Sequence, residues 1–142
     1  MSAQVLSIAA IAGSFPTVQV AVDDLLGLSY RTDARGEDGQ IDCLGIVLEV
    51  YRRAGLLLPD PKSSGSSVFA FADLFDKISD PTKLYDLINF RRESHHVLIV
   101  VRPGIAMSCA EKVGVYTRRI NVLKRASEEI EYYRLRTSSI PA

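Results

Sequence analysis

The 142-residue chain has few cysteines, no net charge and no long apolar run. Two cysteines are too few for a disulfide framework, and they lack the spacing of a metal site. The 17 basic residues balance 17 acidic ones, so the chain lacks the net positive field that binding to a phosphate backbone requires. No run approaches the ~18 apolar residues of a membrane span. We therefore expect no nucleic-acid partner and no membrane span.

The first residues also lack the lysine or arginine that opens a secretory signal. The stretch MSAQVLSIAAIAGSFPT has a short apolar patch, and Ala10 and Ala12 are spaced like the end of a signal. Without a basic start, a cleaved signal is the weaker interpretation. We predict an N-terminal helix here, and a secreted location is the less favoured one.

Helical periodicity is present in three places. Residues 18–26 carry apolar residues on one face, with Gly27 as a stop. A second helix begins at Cys43, with Asp42 suited to its N-cap and Gly55 to its C-terminal cap. The third is predicted over residues 68–78, from the spacing of Val68, Phe71, Leu74, Phe75 and Ile78.

The second half of the chain changes to short runs rich in β-branched and aromatic residues. These runs are LYDLINF, HVLIVV, IAMSCA, VGVYTRRI and IEYYRLR. They predict four or five strands. Helices followed by strands favour an α+β fold, with N-terminal helices packed on a C-terminal antiparallel sheet. A chain of this length can bury roughly two-thirds of its unfolded surface, so we predict one domain over residues 1–142.

Cys43 occupies the first turn of the predicted second helix. The free backbone amides and the dipole at a helix N-terminus favour negative charge, so this thiol is predicted to ionise more easily than usual. It would then be a nucleophile. The alternative is that Cys43 is a small buried apolar residue, which is common for a free cysteine.

The only histidines, His95 and His96, are adjacent at the start of the apolar run VLIVV. Neighbours in a strand point to opposite faces, so at most one of them can face Cys43. From the residues alone, both are candidates for the base that a thiol nucleophile requires. A metal site made from both histidines, Cys43 and Cys109 would need groups that the strand geometry separates. Cys109, within IAMSCA, is predicted to be a buried and inert thiol.

The order of these motifs resembles the NlpC/p60 cysteine peptidases, which cut peptide bonds in bacterial peptidoglycan. The stretch LLGLSYR, a glycine-rich loop and DCLGIVLEVYRRAGLLLPDP are similar to the tyrosine, loop, Asp-Cys-x-Gly turn and helix of that family. The later stretch LYDLINFRRESHHVLIVVRPGIAMSCAEKVGVYTRRI is similar to its strands. The resemblance covers about residues 25–120, and it implies a papain-like NlpC/p60 fold.

The resemblance assigns roles to individual positions. Cys43 falls on the nucleophile, and His96 falls on the general base because it directly precedes Val97. Tyr30 falls on the tyrosine beside the active site, and with Asp42 it belongs to the oxyanion-binding and substrate-binding side. The third polar position, which orients the base, falls on Ser108.

Four positions depart from the family pattern. Ser108 replaces the usual histidine, and its hydroxyl has a shorter reach. Leu44 stands where many members have a small polar residue, which is similar to the phage-tail branch. The pair Tyr85 and Asp86 replaces glycine-aspartate.

The resemblance implies hydrolysis of peptide bonds in peptidoglycan stem peptides, without a metal or organic cofactor. The implied partners are those peptides and, for the phage-tail branch, tail or other assembly proteins. The implied location is the cytoplasm as made or a phage or prophage particle, with action at the cell wall. One alternative is a catalytically decayed module that binds a tail or a wall. Another is hydrolysis or transfer of a different amide or ester.

Overall fold

The computed structural model describes residues 19–61, 73–80, 83–90, 96–126 and 129–136, together with the backbone of Ala9 and Ala10. Two α-helices are described, α1 (Cys43–Arg53) and α2 (Ile120–Ala126), and two 3₁₀ turns (Asp23–Gly27 and Glu37–Gly39). The short outer strands are β1 (Ala9–Ala10), β2 (Ser29–Tyr30), β3 (Gln40–Ile41) and β4 (Leu56–Leu57). The main sheet contains β5 (Phe75–Ile78), β6 (Leu87–Phe90), β7 (His96–Arg102), β8 (Ile105–Ala110), β9 (Gly114–Arg119) and β10 (Ile130–Leu135).

The main sheet has the strand order β5-β10-β6-β7-β8-β9, and every neighbouring pair in it is antiparallel. Strands β6 to β9 follow one another as a meander, whereas β10 returns to lie between β5 and β6. The two central strands of the meander, β7 and β8, carry most of the buried side chains that α1 covers.

The sheet is packed on both faces. Helix α1 lies on one face, where Val47, Val50 and Tyr51 join Ile99 and Met107 in the larger core cluster. On the other face, α2 contributes Ile120 and Leu123 to a second cluster. The remaining buried members of this second cluster are Ile88, Leu98, Val100 and Ala106. Side chains alternate between the two faces along each strand, as expected for a sheet covered on both sides.

The α+β class and the antiparallel sheet packed on the Cys43 helix are confirmed. All five predicted C-terminal strands are present as β6 to β10, and the sheet has a sixth strand, β5. Helix α1 begins at Cys43 after an Asp42 N-cap, also as predicted. Gly55, one residue beyond the Ala54 C-cap, has φ +107°, a backbone conformation that favours glycine after a helix. In the described part of the chain, no helix combines the length and hydrophobicity needed to cross a membrane.

The helix predicted over residues 68–78 is wrong where the structure describes it. Phe75 to Ile78 form the edge strand β5, which pairs with β10 through Phe75 and Leu135 at one end. Residues 62–72, with Val68 and Phe71, lie outside the described residues. Apolar residues at this spacing are also compatible with a short strand that has a buried end. Pairing with β10 supplies backbone hydrogen bonds, and these favour the strand over a helix.

The two N-terminal helix predictions are also corrected. Within the described residues 19–27 the structure has only the 3₁₀ turn Asp23–Gly27, which buries Leu25 and ends at the predicted Gly27. At the chain start, Ala9 and Ala10 pair antiparallel with Leu57 and Leu56 as β1, where we predicted a helix. The other residues of that stretch, 1–8 and 11–17, lie outside the described residues.

Tyr85 adopts φ +73°, a left-handed conformation that is uncommon for residues other than glycine. Its backbone amide donates to the Val100 carbonyl at 2.8 Å. Its own carbonyl accepts from the fully buried Tyr51 hydroxyl at 2.6 Å. Helix α1 therefore holds the entry to β6 in a strained backbone conformation through one side-chain hydrogen bond.

We expect Tyr51→Phe to lower the free energy of unfolding by about 1–3 kcal/mol, because the buried Tyr85 carbonyl loses this donor. Urea unfolding of the full chain measures the change. Tyr132→Phe is the matched control: Tyr132 is half-buried in the second cluster, and its variant should differ from wild type by less than about 0.5 kcal/mol. Equal midpoints for the two variants would contradict a stabilising role for the Tyr51 hydroxyl.

Candidate functional site

The start of α1 is held by the fully buried carboxylate of Asp42. One carboxylate oxygen accepts from the Gly45 amide at 2.8 Å and from the Arg35 guanidinium at 2.9 Å. The other accepts from the Asp33 amide at 2.7 Å. Asp42 thus caps the helix and ties it to the preceding loop, so the position of the Cys43 thiol is set by a charged anchor inside the protein.

Gly45 is required for this loop to pack against the helix. A Cβ atom at Gly45 would lie 2.7 Å from the Ala34 carbonyl oxygen and 2.6 Å from Cγ1 of Ile41, closer than real Cβ contacts allow. The Asp-Cys-x-Gly pattern is therefore explained locally. Its aspartate caps the helix, and its glycine lets residues 34–41 lie against the first turn.

Cys43 is 7% exposed, and its thiol faces the start of β7. Burial raises the pKa of this thiol, the Val97 backbone amide lowers it, and the negative charge of Asp42 raises it again. The net direction is upward. The prediction of easier ionisation is therefore wrong for the resting site, because loss of solvation outweighs the amides at the helix start.

The thiol reaches β7 where β7 and β8 separate. The last paired residues of the two strands, toward the start of β7, are Ile99 and Met107. Between that point and the start of β7, no further pair is formed among the described residues. At this gap, the Val97 carbonyl accepts from the Ser108 hydroxyl at 2.6 Å, while the Val97 amide interacts with the sulfur of Cys43. The side chains of Ser108 and Cys43 thus both lie against the backbone of Val97.

The imidazole of His96 lies beside this gap and is held through Nε2. Nε2 is 2.6 Å from the Tyr116 hydroxyl and 3.3 Å from Ser108 Oγ. The ring stacks on that of Tyr116, with centroids 6.1 Å apart and planes at 17°, and it lies 6.3 Å from the Phe90 ring. Ser108 therefore contacts the base candidate, as its predicted place in the site requires.

Tyr116 is a site residue that the sequence reasoning missed. It faces Ser108 directly in the β8–β9 register. Burial raises the pKa of its phenol, while the Ser108 hydroxyl and the Arg118 charge lower it, and charge on Cys43 would raise it further. Tyr116 thus contacts the imidazole directly, through its hydroxyl and its ring. The signal that could have identified Tyr116 is its position opposite the polar residue Ser108. That position is known only once the register of β8 and β9 is known.

The structure brings some of the predicted site residues together and leaves others apart. His96 and Ser108 are in contact, and Cys43 touches Val97, the residue next to His96. No hydrogen bond joins Cys43 to His96 among the described residues. Alternation along β7 explains this, because Val97 points to the face of α1 and His96 points to the opposite face.

Tyr30 lies in β2, which pairs with β3 just before α1. It is half-buried in β2 against the larger core cluster, and its hydroxyl is 3.2 Å from Thr32 Oγ1. To serve the oxyanion, this hydroxyl would have to leave Thr32. His95, the other histidine candidate, lies outside the described residues.

An open cavity of about 230 Å³ borders the imidazole on the side of the second cluster. Its walls are apolar and aromatic except for one guanidinium and the two polar rings of His96 and Tyr116. The lining residues are Phe90, His96, Ala110, Val113, Tyr116, Arg118 and Leu123. A ligand there would reach His96 directly, whereas Cys43 does not line this cavity.

Cys109 is fully buried, as predicted. Its thiol donates to the Ile41 carbonyl at 3.3 Å, and burial raises its pKa to about 12. This thiol is therefore neutral and structural. Among the described residues, no three His, Cys, Asp or Glu side chains are arranged to hold a metal ion.

No protein-family model matches the chain, and no characterised protein matches it in sequence.

We expect Asp42→Ala to lower the free energy of unfolding by about 2–3 kcal/mol, because a helix cap and a buried ion pair are lost together. Arg35 keeps its second partner, Asp60, at 3.0 Å, which limits the loss. Asp60→Ala is the control, since Asp60 binds the same guanidinium but its side chain is 25% exposed; it should cost less than about 1 kcal/mol. Similar urea midpoints for the two variants would show that Asp42 is not the anchor.

We expect the alkylation of Cys43 by iodoacetamide to be slow at pH 7 and to rise with a midpoint above the usual thiol pKa of about 8.5. In the variant Cys109→Ala, the alkylation rate reports the Cys43 thiol alone. The reciprocal variant Cys43→Ala reports Cys109, which should stay unreactive through pH 10 because its pKa lies near 12. Rapid alkylation of Cys43 at pH 7 would contradict a buried neutral thiol.

Proposed function

We propose that the chain is a cysteine peptidase or amidase that hydrolyses peptide bonds in the stem peptides of bacterial peptidoglycan, on a papain-like NlpC/p60 fold. Cys43 is the nucleophile and His96 is the general base. One observation carries the proposal. The Cys43 thiol begins a buried helix and faces the Val97 amide, one residue along the chain from an imidazole that Tyr116 and Ser108 hold through Nε2.

The raised pKa of Cys43 supports a mechanism in which the nucleophile is generated during the attack. The thiol stays neutral until the substrate is bound, and His96 takes its proton as the sulfur attacks the scissile carbonyl carbon. The carbonyl π electrons move to oxygen as the S–C bond forms. When the C–N bond breaks, His96 returns the proton to the leaving amine, and water later hydrolyses the thioester.

The first turn of α1 supplies donors for the oxyanion. The Gly45 amide is already bound to Asp42, whereas the amides of Cys43 and Leu44 face the sulfur region and favour negative charge there. Donors aimed at the developing oxyanion typically contribute ~2.7–4 kcal/mol each to lowering the barrier. The cap made by Asp42 therefore keeps the first turn fixed while its free amides serve the reaction.

The substrate class rests on the resemblance of motifs, above all the Asp-Cys-x-Gly turn and the His-Val strand. Peptidoglycan peptides are the partners on this proposal. The bulky Leu44 after the nucleophile is similar to the phage-tail branch, so we also propose tail or other assembly proteins as partners. The site of action is then the cell wall, reached from the cytoplasm or from a phage or prophage particle.

A second candidate function is a catalytically decayed module of the same fold that binds a tail component or the wall. The observation that favours it is the state of the thiol: Cys43 is 7% exposed and its pKa is raised by burial. The lack of a hydrogen bond between Cys43 and His96 among the described residues points the same way. Turnover experiments separate the two candidates.

We expect wild type to release stem-peptide fragments with new amino termini from purified peptidoglycan, detected by mass spectrometry. Cys43→Ala should lower the rate by at least about 10³-fold, because no other group replaces the nucleophile. His96→Ala should have a similar effect. Cys109→Ala is the matched control for the loss of a buried thiol and should keep the activity.

Retained activity in Cys43→Ala would exclude the proposed nucleophile. If wild type releases nothing from walls of several stem-peptide types but co-sediments with them, and Cys43→Ala binds equally well, the binding module is the correct function. Cleavage of other amides or esters with no cleavage of peptidoglycan would keep the mechanism and replace the substrate class.

A further inference from the structure

A cavity on the α2 face of the sheet lies apart from the Cys43 thiol. Phe90 at the end of β6 and His96 at the start of β7 are paired neighbours that line this cavity, and Leu123 of α2 lines it as well. Helix α1, which carries Cys43, packs on the opposite face of the sheet. A ligand in this cavity therefore occupies a different place from the start of α1.

The cavity has the size and the lining for one ring-sized apolar group. Its volume is about 230 Å³, and an apolar cavity of about 150 Å³ is enough to hold benzene. The apolar lining residues are Phe90, Ala110, Val113 and Leu123. Val113, in the turn between β8 and β9, is 62% exposed, the largest exposed fraction of any large apolar side chain in the described ranges. A bound ring would remove part of this surface from water.

Arg118 supplies a permanent positive charge at the edge of the cavity. Its guanidinium lies 4.9 Å from the centroid of the Tyr116 ring, and its Nη1 donates to the Thr117 carbonyl at 3.1 Å. These contacts use one face of the guanidinium and one of its five N–H groups, so further donors remain at its edge. Among the described residues, no carboxylate pairs with Arg118. A planar guanidinium held by stacking is suited to binding a carboxylate through two parallel hydrogen bonds.

This lack of an acidic partner sets Arg118 apart from most of the described arginines. Seven of them form ion pairs with Asp or Glu, and these are Arg31, Arg35, Arg52, Arg53, Arg102, Arg134 and Arg136. Residues 112–126, by contrast, contain five basic residues and no acidic one. Of these five, only Lys124 pairs with a carboxylate in the described part of the chain, that of Asp80. Positive charge is thus concentrated around the cavity, and it favours an anionic ligand.

We propose that this cavity binds a carboxylate that carries an aromatic or branched apolar group. The apolar group lies against Phe90, Val113 and Leu123, and the carboxylate accepts hydrogen bonds from Arg118. His96 Nε2 and the Tyr116 hydroxyl, which also border the cavity, are bound to each other at 2.6 Å, so recognition of the charge depends on Arg118. The inference goes beyond the proposed function and does not rest on it, because it concerns binding on the other face of the sheet.

Two kinds of molecule have this chemistry. One is a small free acid, and the other is the C-terminal residue of a peptide with an aromatic or branched apolar side chain. In both, a single carboxylate lies a few bonds from an apolar group, as the separation of Arg118 from the apolar lining requires. Binding measurements with matched probes distinguish the two sources.

The first test is titration of the full chain with phenylacetate at pH 7, followed by backbone amide NMR. We expect saturable shifts at Ala110, Val113 and Leu123, and none at Tyr51 in α1. Phenylacetamide has nearly the same shape without the charge, and acetate has the charge without the ring. Each should bind at least about tenfold more weakly than phenylacetate, because it lacks either the charge-assisted hydrogen bonds or the apolar contact.

Variants of the lining test the two halves of the site separately. Arg118→Gln should weaken the binding of phenylacetate by at least about tenfold and bring it to the level of phenylacetamide. Arg119→Gln is the matched control, since it removes the same charge from the next residue, whose side chain points to the other face of β9. It should keep the affinity. Ala110→Leu fills the cavity and should remove binding while Arg118 remains, with urea midpoints to verify that each variant is folded.

The source of the ligand is read from a tripeptide Ala-Ala-Phe with a free C-terminal carboxylate and from the same peptide with a C-terminal amide. Binding of the free peptide at least about tenfold more tightly than phenylacetate would identify a peptide C-terminus as the ligand. Equal or weaker binding would identify a small free acid. In both cases the amidated peptide should bind more weakly than the free one.

Three results would overturn the proposal. These are the absence of saturable binding of phenylacetate to wild type, equal affinities of wild type and Arg118→Gln, and shifts centred on α1 instead of the α2 face. The readouts require no turnover. A wild type that binds phenylacetate in this cavity but cleaves nothing would reject the proposed function and leave this binding site standing.

Discussion

The buried carboxylate of Asp42 joins the helix start to the loop before it, and the geometry of the site depends on this junction. An ionised group without solvent must be surrounded by donors, and Asp42 has the Gly45 amide, the Asp33 amide and the Arg35 guanidinium. Asp33 and Arg35 lie in the segment between β2 and α1, whereas Gly45 lies in the first turn of α1. Their convergence fixes the direction of α1 and the place where its first side chain, Cys43, meets the sheet.

The meeting point is a local defect in the sheet. Where the pairing of β7 with β8 stops, the Val97 carbonyl accepts from the Ser108 hydroxyl and the Val97 amide lies near the Cys43 sulfur. The gap places the Cys43 sulfur near the Val97 amide, one residue along the chain from His96. It also buries the thiol, which raises its pKa. A base that removes the proton during attack suits this environment better than a preformed ion pair.

The sequence predicted elements with strong local signals and missed those that depend on distant partners. The cap at Asp42 and the strands β6 to β10 depend on nearby residues and on alternation, and both were predicted correctly. Strand β5 was predicted as a helix because its hydrogen bonds come from β10, which lies more than fifty residues later in the chain. The Tyr85 conformation likewise depends on Tyr51, on another element.

The sequence alone determined the α+β class, the helix that begins at Cys43 and the order of thiol, histidine and serine along the chain. Only the tertiary structure decided that the thiol is buried with a raised pKa, that His96 contacts Ser108, and that Tyr116 joins them. The reason is physical. Caps and periodicity act over a few residues and can be read from them, whereas solvation and side-chain hydrogen bonds depend on strand register, which sets the neighbours of each group only after the sheet has formed.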